Sequence, residues 1–225
     1  LNKPILVHVK TIKGKGYKYA EKHPCYFHGI SSFDVATGKV KNVEKGLSYT
    51  AVFARKLIEL GTENNRIVAI TAAMSKGTGV NKFAEEFPDR TFDVGIAEEH
   101  AVAFASGLAK NGAKPVLLAI SSFMQRTYDQ LMQDLALNKT PATILVFLAN
   151  LSPGDATHCG IFDIPMMSNI PDLTCLAPAT KEEYMAMLDW SIEQTSGPVI
   201  IRVPSVVISD PNTFILTEEE FYKYQ

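Results

Sequence analysis

Short, continuously apolar runs separated by helical patterns are what most constrain this chain. The runs are "ILVHV" from Ile5, "IVAIT" from Ile67, "PVLLAI" from Pro115, "ATILVFLA" from Ala142 and "PVIIRV" from Pro198. They are rich in β-branched residues and do not alternate with polar ones. Strands of this kind must be covered on both faces, which is the habit of parallel sheets. Between them apolar residues recur at helical spacing. Ser48 can cap a helix ending at Gly61, with Phe53, Leu57 and Leu60 on one face. Ala101, Phe104, Ala105 and Leu108 form a second stripe before Gly112, and Tyr128, Leu131 and Leu135 a third. "TKEE" from Thr180 has the capping-box form and opens a fourth helix carrying Tyr184, Leu188 and Ile192.

Strand and helix in alternation predict an α/β fold, a parallel sheet with helices on both faces, whose ligand site lies at the carboxyl ends of the strands. The α/β domain is expected over residues 46–204. Residues 1–45, with "KGKGY" and "EKHPCYFHG", read as the end of a preceding domain plus a linker, and residues 205–225 as a linker toward a further domain. The chain is therefore read as a fragment of a longer protein.

Charge and cysteine usage remove several classes of function. The 22 basic and 24 acidic residues nearly cancel, so no global field recruits nucleic acid or an anionic membrane. Cys25, Cys159 and Cys175 form an odd set without a CxxC pair, which argues against a disulfide framework or a zinc ribbon and fits a reducing cytoplasm. No apolar run approaches the roughly 20 residues needed to span a bilayer.

Chemistry concentrates in "FDVGIAEEHAVAFASG" from Phe92. Glu98 and Glu99 could simply favour the first turn of a helix through its dipole. Their place argues for more: "TFDVGIA" reads as a short strand with Glu98 at its carboxyl end, where open α/β sheets put ligands. A carboxylate partly withdrawn from water there can share a proton with a ring nitrogen.

At this point the chain resembles the 1-deoxy-D-xylulose-5-phosphate synthases, thiamine-diphosphate-dependent and transketolase-like. The resemblance runs through "KGKGY", "FHGISSFD", "FPDRTFDVGIAEEHAV", "SSFMQRTYDQLMQDLAL", "THCGIFDI", "IPDLTCLAP" and "GPVIIRVP", all in family order. It implies the end of the first domain and the whole pyrimidine-binding middle domain of that enzyme. The part that binds diphosphate and magnesium lies outside this chain, and no metal ligand is expected within it.

The resemblance also assigns roles. Glu98 faces the aminopyrimidine, where protonating the ring nitrogen favours the imino tautomer and lets the exocyclic nitrogen take the thiazolium proton. Phe123 stacks on the pyrimidine, and Tyr17 lies beside the cofactor. Arg126 and Arg202 hold the acceptor's phosphate, since a guanidinium binds phosphate through its fork. His28 and His158 are active-site histidines. Glu99 stands where the family commonly has glutamine and takes a supporting role. His100 is expected to pack on the helix near Glu98. The implied reaction condenses pyruvate, with loss of carbon dioxide, onto glyceraldehyde 3-phosphate via a thiamine diphosphate ylid. The product would feed isoprenoid, thiamine and pyridoxal precursor synthesis. The protein is expected to be a cytoplasmic homodimer, with Ala101, Ala105 and Gly107 offered for close approach.

Three departures bear on the acceptor. "LSPGDA" from Leu151 replaces a longer segment with an Asp-Arg pair, Asp155 aligns only loosely with a loop aspartate, and Ile120 replaces a tyrosine. Two other readings stay open: a non-catalytic dimerising pyrimidine-binding module, and a segment of another transketolase-like enzyme.

Overall fold

The structure, a computed structural model, describes residues 2–41, 49–149 and 157–203. The chain divides into two compact units, Leu1–Gly46 and Leu47–Gln225.

In the first unit a short helix, α1 (Lys18–Lys22), buries Ala20. Around it Tyr17, Tyr19, Phe27 and Phe33 pack edge-on or tilted, Tyr17 lying 5.4 Å, 5.5 Å and 5.9 Å from the other three ring centroids. This small aromatic core differs from the predicted terminal strand. Ile5–Val9 forms no strand, and Leu6 and Val7 are 95% and 74% exposed. The apolar run is β-prone, but among the described residues no strand lies beside it to complete its backbone hydrogen bonds.

The second unit runs α2 (Tyr49–Glu63), β1 (Ile67–Thr71), α3 (Ser75–Thr78), α4 (Val80–Glu86), β2 (Thr91–Asp93), α5 (Glu98–Lys110), β3 (Lys114–Ile120), α6 (Tyr128–Gln130), β4 (Thr143–Phe147), α7 (Asp163–Met167), β5 (Thr174–Leu176), α8 (Lys181–Glu193) and β6 (Val199–Arg202). The six strands form one parallel sheet in the order β2-β1-β3-β4-β6-β5. Four of the five apolar runs are therefore strands, the short strand read in "TFDVGIA" is β2, and β5 is an edge strand that no run signalled.

Alternate residues of each central strand feed two separate cores, as the period of two requires. Ile67, Ala69, Val116, Leu118, Leu145, Phe147, Val199 and Ile201 face α2, α4 and α8 through Phe53, Leu57, Phe83, Tyr184 and Leu188. Ile70, Leu117, Ala119, Ile144, Val146 and Ile200 face the other way, onto Ala101, Val102 and Ala105 of α5 and onto Leu131 and Leu135. Each fully buried aliphatic or aromatic side chain contributes roughly 1.5–3 kcal/mol, so both helical layers are held firmly to the sheet.

The helix ends follow their local chemistry to different degrees. Thr180 caps α8 by accepting the Glu183 N–H at 3.2 Å, and Glu183 Oε2 reaches back to the Ala179 N–H at 2.7 Å, one residue earlier than the standard box. Ser48, read as the cap of α2, lies outside the described residues. The helix expected around Tyr128 is instead a composite. Ser121–Thr127 is a 3-10 turn, α6 a single turn, and Leu131–Ala136 is π-helical. Leu131 and Leu135 still reach the core, and the changes of pitch let Met124 and Thr127 be buried as well. Such pitch changes recur at functional sites.

Candidate active site

Glu98, Phe123, Arg126 and His158 all follow the carboxyl ends of β2, β3 and β4. After β2 the chain turns sharply through Val94–Ala97 before α5. Asp93 Oδ1 fixes this turn by accepting the Ala73 N–H at 2.8 Å, from the loop after β1, and the Gly95 N–H at 3.0 Å. Gly95 has φ +74, a left-handed conformation that glycine adopts without steric cost. The Ala97 N–H donates to the Gly95 carbonyl at 2.9 Å, and Glu98 begins the helix. Glu98 is thus delivered five residues past the end of β2, not at the strand terminus itself.

The two adjacent glutamates differ sharply. Glu98 is buried at 2% exposure, and Glu99 is exposed. Ala97 provides no capping side chain for α5. Glu98 Oε1 forms an ion pair with Arg126 Nη1 at 2.9 Å, while Oε2 is buried with no hydrogen-bond partner. An orphaned buried carboxylate oxygen is costly, and it marks a place where a ligand's N–H could be received. His100 is exposed and stacks on Phe104 with ring centroids 5.9 Å apart, so it packs one turn along α5 rather than at Glu98.

Arg126 comes from the 3-10 turn after β3, and its guanidinium lies over the Phe123 ring at 5.1 Å. Phe123 in turn meets His158 edge-on, with centroids 5.3 Å apart and planes at 70°. His158 Nδ1 is 2.8 Å from Thr157 Oγ1. The fold therefore joins Glu98, Arg126, Phe123 and His158 into one chain of contacts drawn from three different strand-to-helix connections. This composition suits an aminopyrimidine: a buried acceptor oxygen beside a half-buried aromatic face.

Arg202, at the end of β6, is differently placed. Its Nε donates to Asp163 Oδ2 at 2.8 Å, Nη2 contacts Asp163 Oδ1 at 3.4 Å, and Nη2 also donates to the Ala149 carbonyl. Asp163 is fully buried, so Arg202 anchors the start of α7 to the ends of β4 and β6. Asp163 was not singled out by the sequence; its place five residues after His158, in "THCGIFD", is the signal that could have found it.

Tyr17 and His28 belong to the first unit. The Tyr17 hydroxyl donates to the Val35 carbonyl at 2.9 Å, and partial withdrawal from water, followed by Tyr19 and Asp34, pushes its phenol above the ordinary value. His28 is exposed. Ile120 ends β3 with its side chain in the protein interior, and Asp155 with the rest of "LSPGDA" lies outside the described residues. Ala101 and Ala105 are fully buried within the chain; of the three small residues offered for pairing only Gly107 is exposed. Among the described residues no group of three or more His, Cys, Asp or Glu could hold a metal ion, and no helix is long and apolar enough to cross a membrane.

Comparison with known proteins agrees with this fold. The chain is 47% identical over 205 residues to the 1-deoxy-D-xylulose-5-phosphate synthase of Lachnoclostridium phytofermentans, covering 91% of this chain and 33% of that protein. It thus spans about a third of the length of such relatives. Among solved structures, a split-gene transketolase described as an inactive β4 tetramer superposes with a TM-score of 0.65 at 29% identity, covering 75% of this chain and 55% of the other. The transketolase of Campylobacter jejuni, at 15% identity and a TM-score of 0.66 over 75% of this chain and 28% of its own, shares the fold. Residues 45–206 match the transketolase pyrimidine-binding domain, and the chain belongs to that family.

Proposed function

We propose that these residues form the pyrimidine-facing side of a thiamine diphosphate site in a 1-deoxy-D-xylulose-5-phosphate synthase, which condenses pyruvate with glyceraldehyde 3-phosphate and releases carbon dioxide. One observation carries the reading. Glu98 is buried beside an aromatic face, with one oxygen paired and the other without a hydrogen-bond partner.

Thiamine diphosphate, when bound, supplies a stabilised carbanion equivalent for decarboxylation and carbon–carbon bond formation. The chain's own residues hold and prepare it. Glu98 carries the proton that a ring nitrogen needs, and its helix start fixes the carboxyl group while the surrounding core excludes water. Phe123 offers its ring to the pyrimidine. His158, in T-shaped contact with Phe123, hydrogen-bonds or passes a proton during the reaction. Arg126 offers an exposed guanidinium to the acceptor's phosphate, while Arg202 supplies a fixed positive charge held by Asp163. Tyr17 and His28 take their roles beside the cofactor from the family resemblance alone. Magnesium binds with the diphosphate, on residues outside those described.

The protein acts in the cytoplasm as a homodimer. Ile96, Phe162 and Ile164, 80%, 60% and 54% exposed near the strand carboxyl ends, support pairing better than the buried alanines of α5. Sedimentation of the full-length protein at tens of micromolar should give twice the chain mass; a concentration-independent monomer would reject the pairing.

The test of function uses the full-length protein with thiamine diphosphate, magnesium, pyruvate and glyceraldehyde 3-phosphate. Carbon dioxide and 1-deoxy-D-xylulose 5-phosphate should appear together, and both should be lost in Glu98→Gln. A second reading, a module that pairs without turning over, is favoured by the split-gene neighbour described as inactive. Cofactor binding without any product would select it.

A further inference from the structure

Arg126 makes both contacts that a flat, cationic ring needs at this site. Its Nη1 is ion-paired with Glu98 Oε1 at 2.9 Å, and its guanidinium carbon lies 5.1 Å from the centroid of Phe123. A guanidinium is planar and delocalised, with a face that stacks on aromatics and an N–H edge that pairs with carboxylates. A protonated aminopyrimidine presents the same two features. We propose that Arg126 is a built-in competitor of the cofactor, a displaceable occupant of the Glu98–Phe123 pair that must swing away for the pyrimidine to enter. The inference rests on the reading of Glu98 as the group facing the aminopyrimidine.

The two partners are unequal, and that makes the contact displaceable. The Arg126 side chain is 45% exposed and that of Glu98 only 3%. Arg126 can return to water at little cost, as half-exposed ion pairs are weak, whereas Glu98 cannot follow it. The pair is also incomplete, because Arg126 engages Oε1 and leaves Oε2 buried without a hydrogen-bond partner. An incoming ring that donates to this carboxylate meets an acceptor that Arg126 has only half satisfied. The edge-on approach of His158 to Phe123 is compatible with either occupant, since it leaves a ring face to the guanidinium.

A consequence concerns order. While paired to Glu98, Arg126 spends one arm of its fork on a carboxylate, and departure returns the whole fork to anions. Cofactor entry and anion capture by Arg126 are then favourably coupled, and the coupling is reciprocal.

The test measures thiamine diphosphate affinity by titration calorimetry, with magnesium, on the full-length protein and on Arg126→Ala, Arg126→Gln, Glu98→Gln and Glu98→Gln/Arg126→Ala. Removing a competitor should tighten binding about 3-fold or more in both Arg126 variants, the scale of an exposed ion pair. The gain should vanish in the Glu98→Gln background. Unchanged or weaker binding in both Arg126 variants overturns the inference, and so does a gain that persists without Glu98. Arg126→Gln keeps the length of the side chain, so it provides the answer should Arg126→Ala fold poorly. If Glu98→Gln changes neither affinity nor exchange of the thiazolium proton, the underlying reading of Glu98 falls instead, and the two failures are distinguishable.

Discussion

Glu98 and Glu99 are adjacent in the chain, yet the first is buried against Arg126 and the second points into solvent. The helix explains the difference. Successive residues of α5 are about 100° apart around its axis, so only one of the pair can face the 3-10 turn after β3. A dipole effect would treat both acids nearly alike. The burial of one, with an oxygen left without a hydrogen-bond partner, sets Glu98 apart from a solvent-facing acid of the first turn.

The corresponding substitutions should separate as well. In the full-length protein, Glu98→Gln should keep the fold but slow exchange of the thiazolium proton by about 10²–10⁴-fold, the usual range for losing general acid–base help. Hydrogen–deuterium exchange by quenched-flow NMR reads this directly. Glu99→Gln should leave the exchange rate and stability nearly unchanged, within about 0.5 kcal/mol, as for most surface substitutions. Equal rates in wild type and Glu98→Gln, with stability lost instead, would return Glu98 to the role of a helix acid.

Asp163 is expected to matter through Arg202. Asp163→Ala leaves a largely buried guanidinium without its carboxylate, and breaking a buried pair from one side costs about 3–5 kcal/mol. Urea unfolding should show that loss. Asp163→Asn keeps the shape and an acceptor oxygen, so it should lose less. If both variants unfold at the wild-type midpoint, the Asp163–Arg202 contact does not hold the end of the sheet together.

Thr180→Ala provides a contrast far from the chemistry. Loss of the cap that accepts the Glu183 N–H should cost about 1 kcal/mol in urea unfolding, with turnover unaltered. A comparable loss of activity would mean that α8 is coupled to the site.

How legible the protein was in its sequence depended on whether the signal was local. The central strands and their coverage on both faces followed from runs such as "IVAIT" and "PVLLAI", because a parallel strand covered on both faces does not alternate apolar with polar residues. The edge strand β5 escaped, since "TCL" is short and exposes Cys175. "ILVHV" misled for the opposite reason: it carries strand propensity, but among the described residues no strand pairs with it. Glu98 and Phe123 were singled out on family motifs, but nothing in sequence spacing told that Arg126 would sit on both, or that Arg202 would be bound to Asp163. Those contacts join connections that follow different strands, and only the order β2-β1-β3-β4-β6-β5 brings them together.

The turn that delivers Glu98 gives the last prediction. Gly95 holds φ +74, and a Cβ placed there would meet no atom within 4 Å. The cost of Gly95→Ala is therefore one of backbone conformation alone, about 1–2 kcal/mol for a left-handed residue with a side chain. If the chain relieves that strain, it does so by turning differently between Asp93 and Glu98, and the carboxyl group moves. Activity should then fall by more than stability does. Asp93→Ala attacks the same turn from its other side, by removing the oxygen that receives both the Ala73 and Gly95 N–H groups. Its exposed setting limits the loss of stability, so the two variants should share a signature: modest shifts in the urea midpoint with a large fall in the rate of thiazolium proton exchange. Exchange at the wild-type rate in both would mean that α5 holds Glu98 in place without help from the turn.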